Sequence, residues 1–401
     1  MKFILYMYFK KFVSAQKNSI MIYVNKLFEC INIIIFLIII KLLFFGFGYF
    51  FYIVQTNSTS GMSPFLSIFN RWDVRHYITI AERGYTVLEN GTLIHVVMPP
   101  FWPIFIYLVN IAIHNAVLSG LLLANFFSLI SGIVLYLLLK KDYEEKIAFY
   151  STVLLFVFPT AFYLYLPYTE ALFFFLVVSY FFALRSRKLF VASLFGFFAC
   201  TTRFVGFLLI VTYFIEYYSL YGFSFNRRFL YFFLIIGGFA VYLLFNYYYT
   251  GDLFAFLDVQ KHHWTHKEAN LLNIPFQIFN NVKSLLFSSN LTTNGMIVDR
   301  VEPFFSLFSA IILLIGRKVL RSSYFWYGVV NYLLIFSQSF WLSNTRYILM
   351  IFPLFIVLSL YFFKDFTKNY RVVLGFCYVF FCIMLLSFFY MRFVIGHMTA
   401  L

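Results

Sequence analysis

The chain has 401 residues, 63% of them hydrophobic and 11% charged, against about 45–50% apolar and about 25% charged in a soluble domain, so a soluble enzyme is excluded. Its apolar runs are too long for barrel strands, and backbone in lipid must close its own hydrogen bonds, which leaves an all-α polytopic membrane protein. The net charge of +15 comes from 30 Lys+Arg against 15 Asp+Glu, and its placement in short clusters between apolar runs indicates topology setting and anionic lipid contact, not nucleic acid.

Residues 1–27 carry Lys2, Lys10, Lys11, Lys17 and Lys26 without a long apolar core and cleavage site, so they read as a basic cytoplasmic arm and not as a cleaved signal peptide. The first span is expected over 28–54, followed by a polar external loop, 56–98. The chain is apolar from 99 to 139 and breaks at the charged run 140–146. Further spans are expected at 147–166, 168–184, 189–200, 204–219 and 229–249, with the two short runs around Arg203 forming a hairpin of broken helices. After a second external loop, 251–302, come spans at 303–317, 324–341, 346–363 and 372–391, about 11 transmembrane helices in all. The chain thus divides into the arm 1–27, a transmembrane module 28–250, the loop 251–302 and C-terminal helices 303–401.

Charge placement orders these spans. Putting the clusters at 140–146, 185–188, 227–228, 317–321 and 364–371 on the side of the arm gathers 19 basic residues there, leaves ten outside and places Lys41 within the membrane. An odd number of crossings is then needed between 99 and 139. We take 116–139 as the span and 99–114, which opens Pro99-Pro100-Phe101-Trp102-Pro103, as a partly inserted segment. The competing layout makes both segments spans and moves Lys140 outside. The sequons at Asn57, Asn90 and Asn290 fall in the two external loops. Cys30, Cys200, Cys377 and Cys382 lie within apolar runs without metal-type spacing and read as small core residues.

Charges at a membrane are costly, so each external one is a candidate for function. In Arg71-Trp72-Asp73-Val74-Arg75-His76, apolar positions at helical spacing and a stop at Gly84 predict a short amphipathic helix whose start presents Trp72 and Asp73. Such a carboxylate can take a proton from an acceptor hydroxyl while neighbouring cations hold a phosphate. The plainer alternative is an interfacial helix with Trp72 as anchor and Asp73 as N-cap. In Phe158–Glu170, two prolines bracket an aromatic helix end, and Glu170 opens the next helix, where the helix dipole alone accounts for an acid. Arg203 lies between two short apolar runs, where a guanidinium and half-helix ends could face a phosphate. The stretch 250–268 holds Asp252, Gln260, Trp264 and the histidines His262, His263 and His266, of which two at most share a helix face, so a sugar or head-group surface is favoured over metal. Arg346, between two spans, could hold phosphate or cap a helix end. There is no nucleotide-binding fingerprint.

Taken in order from 69 to 353, these segments resemble the GPI mannosyltransferase 2 (PIG-V) family and its prokaryotic relatives among the GT-C glycosyltransferases. Arg71-Trp72-Asp73 with His76-Tyr77 and Ile80 to Tyr85 resembles the family's first-loop motif, and Phe158-Pro159-Thr160-Ala161 with Tyr168-Thr169-Glu170-Ala171-Leu172-Phe173 resembles its proline and YTESLF signature. Arg203-Phe204-Val205-Gly206 resembles its Arg-x-x-Gly element, Gly251-Asp252 through Gln260 and Trp264 its loop after the seventh span, and Arg346-Tyr347 to Pro353 its Arg-Tyr stretch. Pro99 to Pro103 matches the Phe-Phe-Pro-x-x-Pro run loosely, and Phe393 to Ala400 only faintly.

The resemblance implies the GT-C fold and an inverting transfer of mannose from a polyprenyl- or dolichyl-phosphate donor to a lipid-linked, GPI-precursor-like, or protein-linked glycan acceptor on the non-cytoplasmic face. It makes Asp73 the catalytic carboxylate. Arg203, Arg346 and Arg71 are expected at the donor phosphate, and Trp72, His76, Tyr168, Glu170, Asp252, Gln260 and Trp264 around the sugar and acceptor. No cofactor and no obligatory metal are expected, and the family leaves room for a small membrane partner subunit. The location implied is the endoplasmic reticulum membrane in a eukaryote or the cell membrane in a prokaryote. Two other classes compete: a transporter or flippase for a lipid-linked saccharide, which the lack of an internal repeat weakens, and a non-catalytic subunit, in which Asp73 would be stripped.

Overall fold

The computed structural model describes residues 30–56, 61–86, 88–89, 92–263, 271–288, 297–338, 341 and 343–396. The arm 1–27, the three sequon asparagines, Trp264 and His266 lie outside the described residues. The described chain is all-helical apart from one two-residue ladder. In order it forms α1 (Ile31–Thr56), α2 (Met62–Ser67), α3 (Asp73–Arg83), the antiparallel pair β1 (Leu88–Glu89) and β2 (Thr92–Leu93), and a 3-10 turn (Ile94–Val97). Next come α4 (Phe101–Ile113), α5 (Ala116–Leu139), α6 (Glu145–Phe156), α7 (Glu170–Arg185), α8 (Leu189–Thr202), a 3-10 turn (Phe204–Leu208), α9 (Leu209–Tyr221) and α10 (Phe232–Thr250). The remainder is α11 (Ala255–His262), α12 (Ile274–Phe287), α13 (Glu302–Ile315), α14 (Ser322–Ser337), α15 (Asn344–Ile348), α16 (Pro353–Phe363) and α17 (Asn369–Val394).

The bundle has two ends that differ in what ties them together. At one, Asp142 accepts from Arg185 Nε at 3.1 and 2.9 Å and from the Tyr324 hydroxyl at 2.7 Å. There too the Tyr143 hydroxyl donates to Val319 O at 3.1 Å, and Arg321 Nη2 to Glu216 at 2.8 Å. The basic clusters around 140, 185 and 320 therefore share one end, as the charge pattern required. Between the ends, the buried Lys41 of α1 donates to Asn125 O of α5 at 2.7 Å and to the Ser128 hydroxyl, so the lysine expected inside the membrane joins two helices.

Five helical stretches among the described residues are long and apolar enough to cross a membrane: Ile31–Thr56, Ala116–Leu139, Phe204–Tyr221, Phe229–Thr250 and Asn369–Val394. The others are shorter than a crossing requires, and all but α8, which outruns its expected 189–200 by two residues, are shorter than the expected spans. Helix α6 has 12 residues, α8 has 14 and α16 has 11, or about 18, 21 and 17 Å at 1.5 Å per residue, short of a hydrocarbon core of about 30 Å. The expected span 147–166 stops at Phe156 because the chain then runs through Pro159 and Pro167, and the expected span 346–363 is helical again only from Pro353; proline removes a donor and clashes with the preceding turn. At the end away from Asp142 these helices thus stop early and leave a recess.

Helix α4 does not carry the chain across. Trp102 near its start donates to Pro167 O at 3.0 Å, and Gly120 near the start of α5 faces both Pro167 and Ile106 of α4. The two helices therefore form an antiparallel pair at the recess, and with 13 residues, about 20 Å, α4 is too short to reach the Asp142 end. The passage to that end falls to α5, with 24 residues.

The ties at the Asp142 end make a prediction. Asp142→Ala strands Arg185 and Tyr324, both partly or fully buried, and should cost about 2–4 kcal/mol, seen as a lowered Tm in detergent; an unchanged Tm would count against Asp142 as the fastening of this end.

Candidate functional site

Four charged side chains line up in the recess. Asp73 is the first residue of α3, whose apolar face (Val74, Tyr77, Ile78, Ile80 and Ala81) is buried and whose end is set by Gly84 at φ 72°. The N-cap is Trp72, at φ 55° and ψ −136°, with no side-chain cap. Asp73 is therefore not the helix cap. Its Oδ2 accepts from Arg346 Nη1 at 2.8 Å. Arg346 Nε donates in turn to Glu170 Oε1, which also accepts from Arg203 Nη1; Arg203 Nη1 reaches Thr169 Oγ1 at 3.0 Å. Side-chain exposure along this row runs 35% for Asp73, 9% for Arg346, 0% for Glu170 and 15% for Arg203. The row thus has a solvated carboxylate at one end and a buried anchor within it.

Each member is aimed by its own local backbone. Glu170 opens α7 after the proline-bracketed stretch 157–169. Arg203 sits in extended backbone (φ −149°, ψ 133°) between α8 and the next turn. The glycine at i+3 is required there: a Cβ on Gly206 would come within 2.5 Å of the Ala199 carbonyl carbon and 2.6 Å of Cys200 N. Arg346 lies in α15, entered through Ser343 at φ 62°. Aromatic faces hold both cations: Arg346 Cζ is 4.6 Å from the Tyr168 ring centroid and 4.9 Å from that of Tyr163, and Arg203 Cζ is 5.4 Å from that of Tyr347.

The other sequence-selected residues occupy different positions. Arg71 Nη1 donates to Phe393 O at 3.1 Å and Val394 O at 2.8 Å, joining the start of α3 to the end of α17. The indole Nε1 of Trp72 is buried without a partner among the described residues. His76 Nδ1 is 3.1 Å from Nε2 of the buried His95. Gln260 is half-buried on α11, which packs on the first loop through Ile94, Val96, Ala255 and Val259, with the Tyr242 hydroxyl donating to Val96 O at 3.0 Å. Asp252 is exposed and accepts from Phe254 N at 2.9 Å, so it shapes the turn into α11, and none of its hydrogen bonds reaches the Asp73 row. Trp264 is outside the described residues.

Sequence reasoning did not select Tyr77, Tyr163, Thr169 or His95. Tyr77, one turn after Asp73, is buried; desolvation first, then the Asp73 charge, pushes its hydroxyl well above the usual phenol range, against the pull of Arg346, so it stays protonated. Its signal was the i, i+4 spacing from Asp73. His95 is held down to about 4 by desolvation, with smaller contributions from His76 and His263. No group of three or more His, Cys, Asp or Glu among the described residues could hold a metal ion.

No known family model matches the sequence, and no curated protein does. Among solved structures, the chain is similar to the oligosaccharyltransferase of Archaeoglobus fulgidus in complex with Zn and sulfate, at 11% identity and a TM-score of 0.46, covering 88% of this chain and 52% of that one. It is also similar to the archaeal oligosaccharyltransferase AglB from Archaeoglobus fulgidus in complex with an inhibitory peptide and a dolichol-phosphate, at 10% identity and a TM-score of 0.47, covering 89% and 56%. The chain spans a little over half the length of these two proteins.

Two predictions test the geometry. Glu170→Ala leaves two mostly buried guanidinium groups facing each other and should cost about 3–5 kcal/mol, whereas Asp73→Ala at the rim should cost about 1 kcal/mol or less; equal Tm losses would refute a buried anchor with a solvated end. For His95, folding favours the neutral ring, so its contribution is complete above pH 6.5 and is lost as pH falls toward about 4. His95→Gln, which does not titrate, should lose less Tm than the native protein between those two pH values.

Proposed function

We propose that the protein is an inverting glycosyltransferase of the GT-C class that moves mannose from a polyprenyl- or dolichyl-phosphate donor to a hydroxyl of a lipid-linked or protein-linked glycan, on the non-cytoplasmic side of its membrane. One observation carries this reading: Arg346 joins Asp73 to Glu170 and, through it, to Arg203, so four of the sequence segments that resemble the mannosyltransferase motifs meet in a single row. A structural ion pair alone would not need a solvated carboxylate at the mouth of a recess backed by two arginines. A lipid-phosphate sugar has matching parts: an apolar tail in the membrane, a phosphate at the recess and a sugar toward water.

In this mechanism Asp73 takes the proton of the acceptor hydroxyl as that oxygen bonds to the anomeric carbon. The bond from that carbon to the phosphate oxygen breaks on the opposite face, so the configuration inverts. The electron pair leaves with the polyprenyl phosphate, whose charge Arg346 and Arg203 stabilise, each held in place by Glu170. The protonated Tyr77 and the indole N–H of Trp72 are donors toward the sugar. Tyr168 sets the plane of the Arg346 guanidinium, and His76, Gln260 and Trp264 are assigned to the acceptor side. Arg71 fixes the height of α3 through the end of α17.

The assay is sugar transfer from synthetic polyprenyl-phosphate-mannose in reconstituted membranes. Asp73→Asn is expected to lower kcat by about 10²–10⁴-fold, the range of a lost general base, with donor affinity and Tm retained. Transfer at the native rate would refute Asp73 as the base. A saccharide carrier without transferase activity would show no transfer in the native protein either, so movement of labelled donor across the bilayer without product would favour the transport reading.

A further inference from the structure

The first residue of α13, Glu302, is fully buried. Its Oε2 accepts the backbone N–H of Thr345 at 2.9 Å, and its Oε1 has no partner among the described residues. None of the ion pairs there includes it. The turn it touches, Ser343-Asn344-Thr345, leads directly into Arg346. That turn is strained: Ser343 lies at φ 62°, ψ 20°, a region costly for a residue with a Cβ, and α15 beyond it has only five residues, too few to be stable alone. The turn is held from outside. Glu302 binds the amide entering Thr345, the Thr160 hydroxyl binds the carbonyl leaving it at 3.0 Å, and Asn344 Nδ2 reaches Ser306 Oγ of α13 at 3.3 Å.

We infer that Glu302 is a positioning residue, which holds the strained turn before Arg346 and so sets this guanidinium between Asp73 and Glu170. The inference rests on the reading of Arg346 as a lipid-phosphate residue. Stability alone does not explain the arrangement. Asn344 Oδ1 and Thr345 Oγ1 are also buried without a partner among the described residues, and incompletely paired polar groups are costlier than an apolar filling of the same space. What the polar groups supply is direction: the carboxyl oxygen fixes the Thr345 amide, and the next side chain along the chain is the guanidinium of Arg346. Thr160 belongs to the proline-bracketed stretch that ends at Glu170, so this second support ties Arg346 to the element carrying its partner.

A glutamine at 302 keeps the side-chain oxygen that accepts from Thr345, whereas leucine fills the space without accepting. Binding of dolichyl phosphate to the full chain in nanodiscs should be compared for the native protein, Glu302→Gln, Glu302→Leu and Arg346→Ala. The expected result is native affinity within twofold for Glu302→Gln and a loss of at least tenfold for Glu302→Leu and for Arg346→Ala. Native affinity in Glu302→Leu beside a tenfold loss in Arg346→Ala overturns the positioning role and leaves the donor site standing, as does a tenfold loss in Glu302→Gln. Native affinity in Arg346→Ala overturns the donor site itself. Hydrogen exchange in the native protein needs no variant and decides the case if Glu302→Leu does not fold: the Thr345 amide should exchange at least a hundredfold more slowly than an unprotected amide, and unprotected exchange overturns the proposal.

Discussion

The rest of the site depends on one buried carboxylate. Glu170 has no exposure, and moving such a charge out of water costs several kcal/mol even after relaxation. Two guanidinium groups offset this cost, one 33 and the other 176 residues away along the chain. The requirement is stringent because the chain is so apolar: few other polar groups are available to satisfy that charge. It brings the break after α8 and the turn before α15 to the level at which α7 starts. Once Arg346 is there, its remaining Nη1 donor faces Asp73, and the amphipathic helix α3 is drawn over the recess. A pair of buried cations thus organises segments that hydrophobic packing alone would leave at no particular depth.

The recess itself follows from helix length. Helices α6 and α8 leave the Asp142 end and stop after 12 and 14 residues, and α16 runs back to that end over only 11, while α1 and α17 each run for 26. Charges at the ends of short helices lie below the lip set by the long ones, where they are shielded from bulk water yet not enclosed. Arg71 uses the lip directly, since its guanidinium binds carbonyls at the end of α17 and α3 starts two residues later. Depth is fixed at the bottom by Glu170 and at the top by Arg71. The strained backbones at Trp72 and Ser343, immediately before α3 and α15, stand at the two points where the chain must turn sharply into the row.

What the sequence made legible was local. The start and stop of α3, the break at Arg203, and the shared end of the basic clusters each depend on neighbours in the chain or on a count of charges. Partners far apart in sequence were not legible. Glu170 at a helix start is fully explained by the helix dipole, so the residue itself does not point to arginines 33 and 176 residues away; only the family resemblance places all three around one substrate. Glu302 is masked in the same way, because an acid before Pro303 at a helix start needs no further reason. The stretch 147–166 reads as one span because its hydropathy never falls, although it contains Pro159. Proline there does not take the chain out of the apolar interior, and only ends the helix within it. Tyr163 is one among 32 tyrosines, and no pattern in the sequence distinguishes a ring that supports a guanidinium from one that fills space; Tyr168 stands out only through the family resemblance, and there as a sugar or acceptor residue.

The charge balance of the row bears on how such a site would work under the proposed function. Two carboxylates and two guanidiniums leave it neutral, so an arriving phosphate meets no excess of positive charge and must compete for a donor already in use. Of the two carboxylates, Glu170 is buried and held by both arginines, whereas Asp73 is 35% exposed and its side chain, among the described residues, accepts from Arg346 alone. Water can solvate Asp73 if it loses that bond, and no such compensation exists for Glu170. Exchange is therefore cheapest at Asp73. A phosphate that takes over Arg346 Nη1 would release the carboxylate that has to accept the hydroxyl proton, so donor binding and freeing of the base become one event, and before the donor arrives the base stays paired.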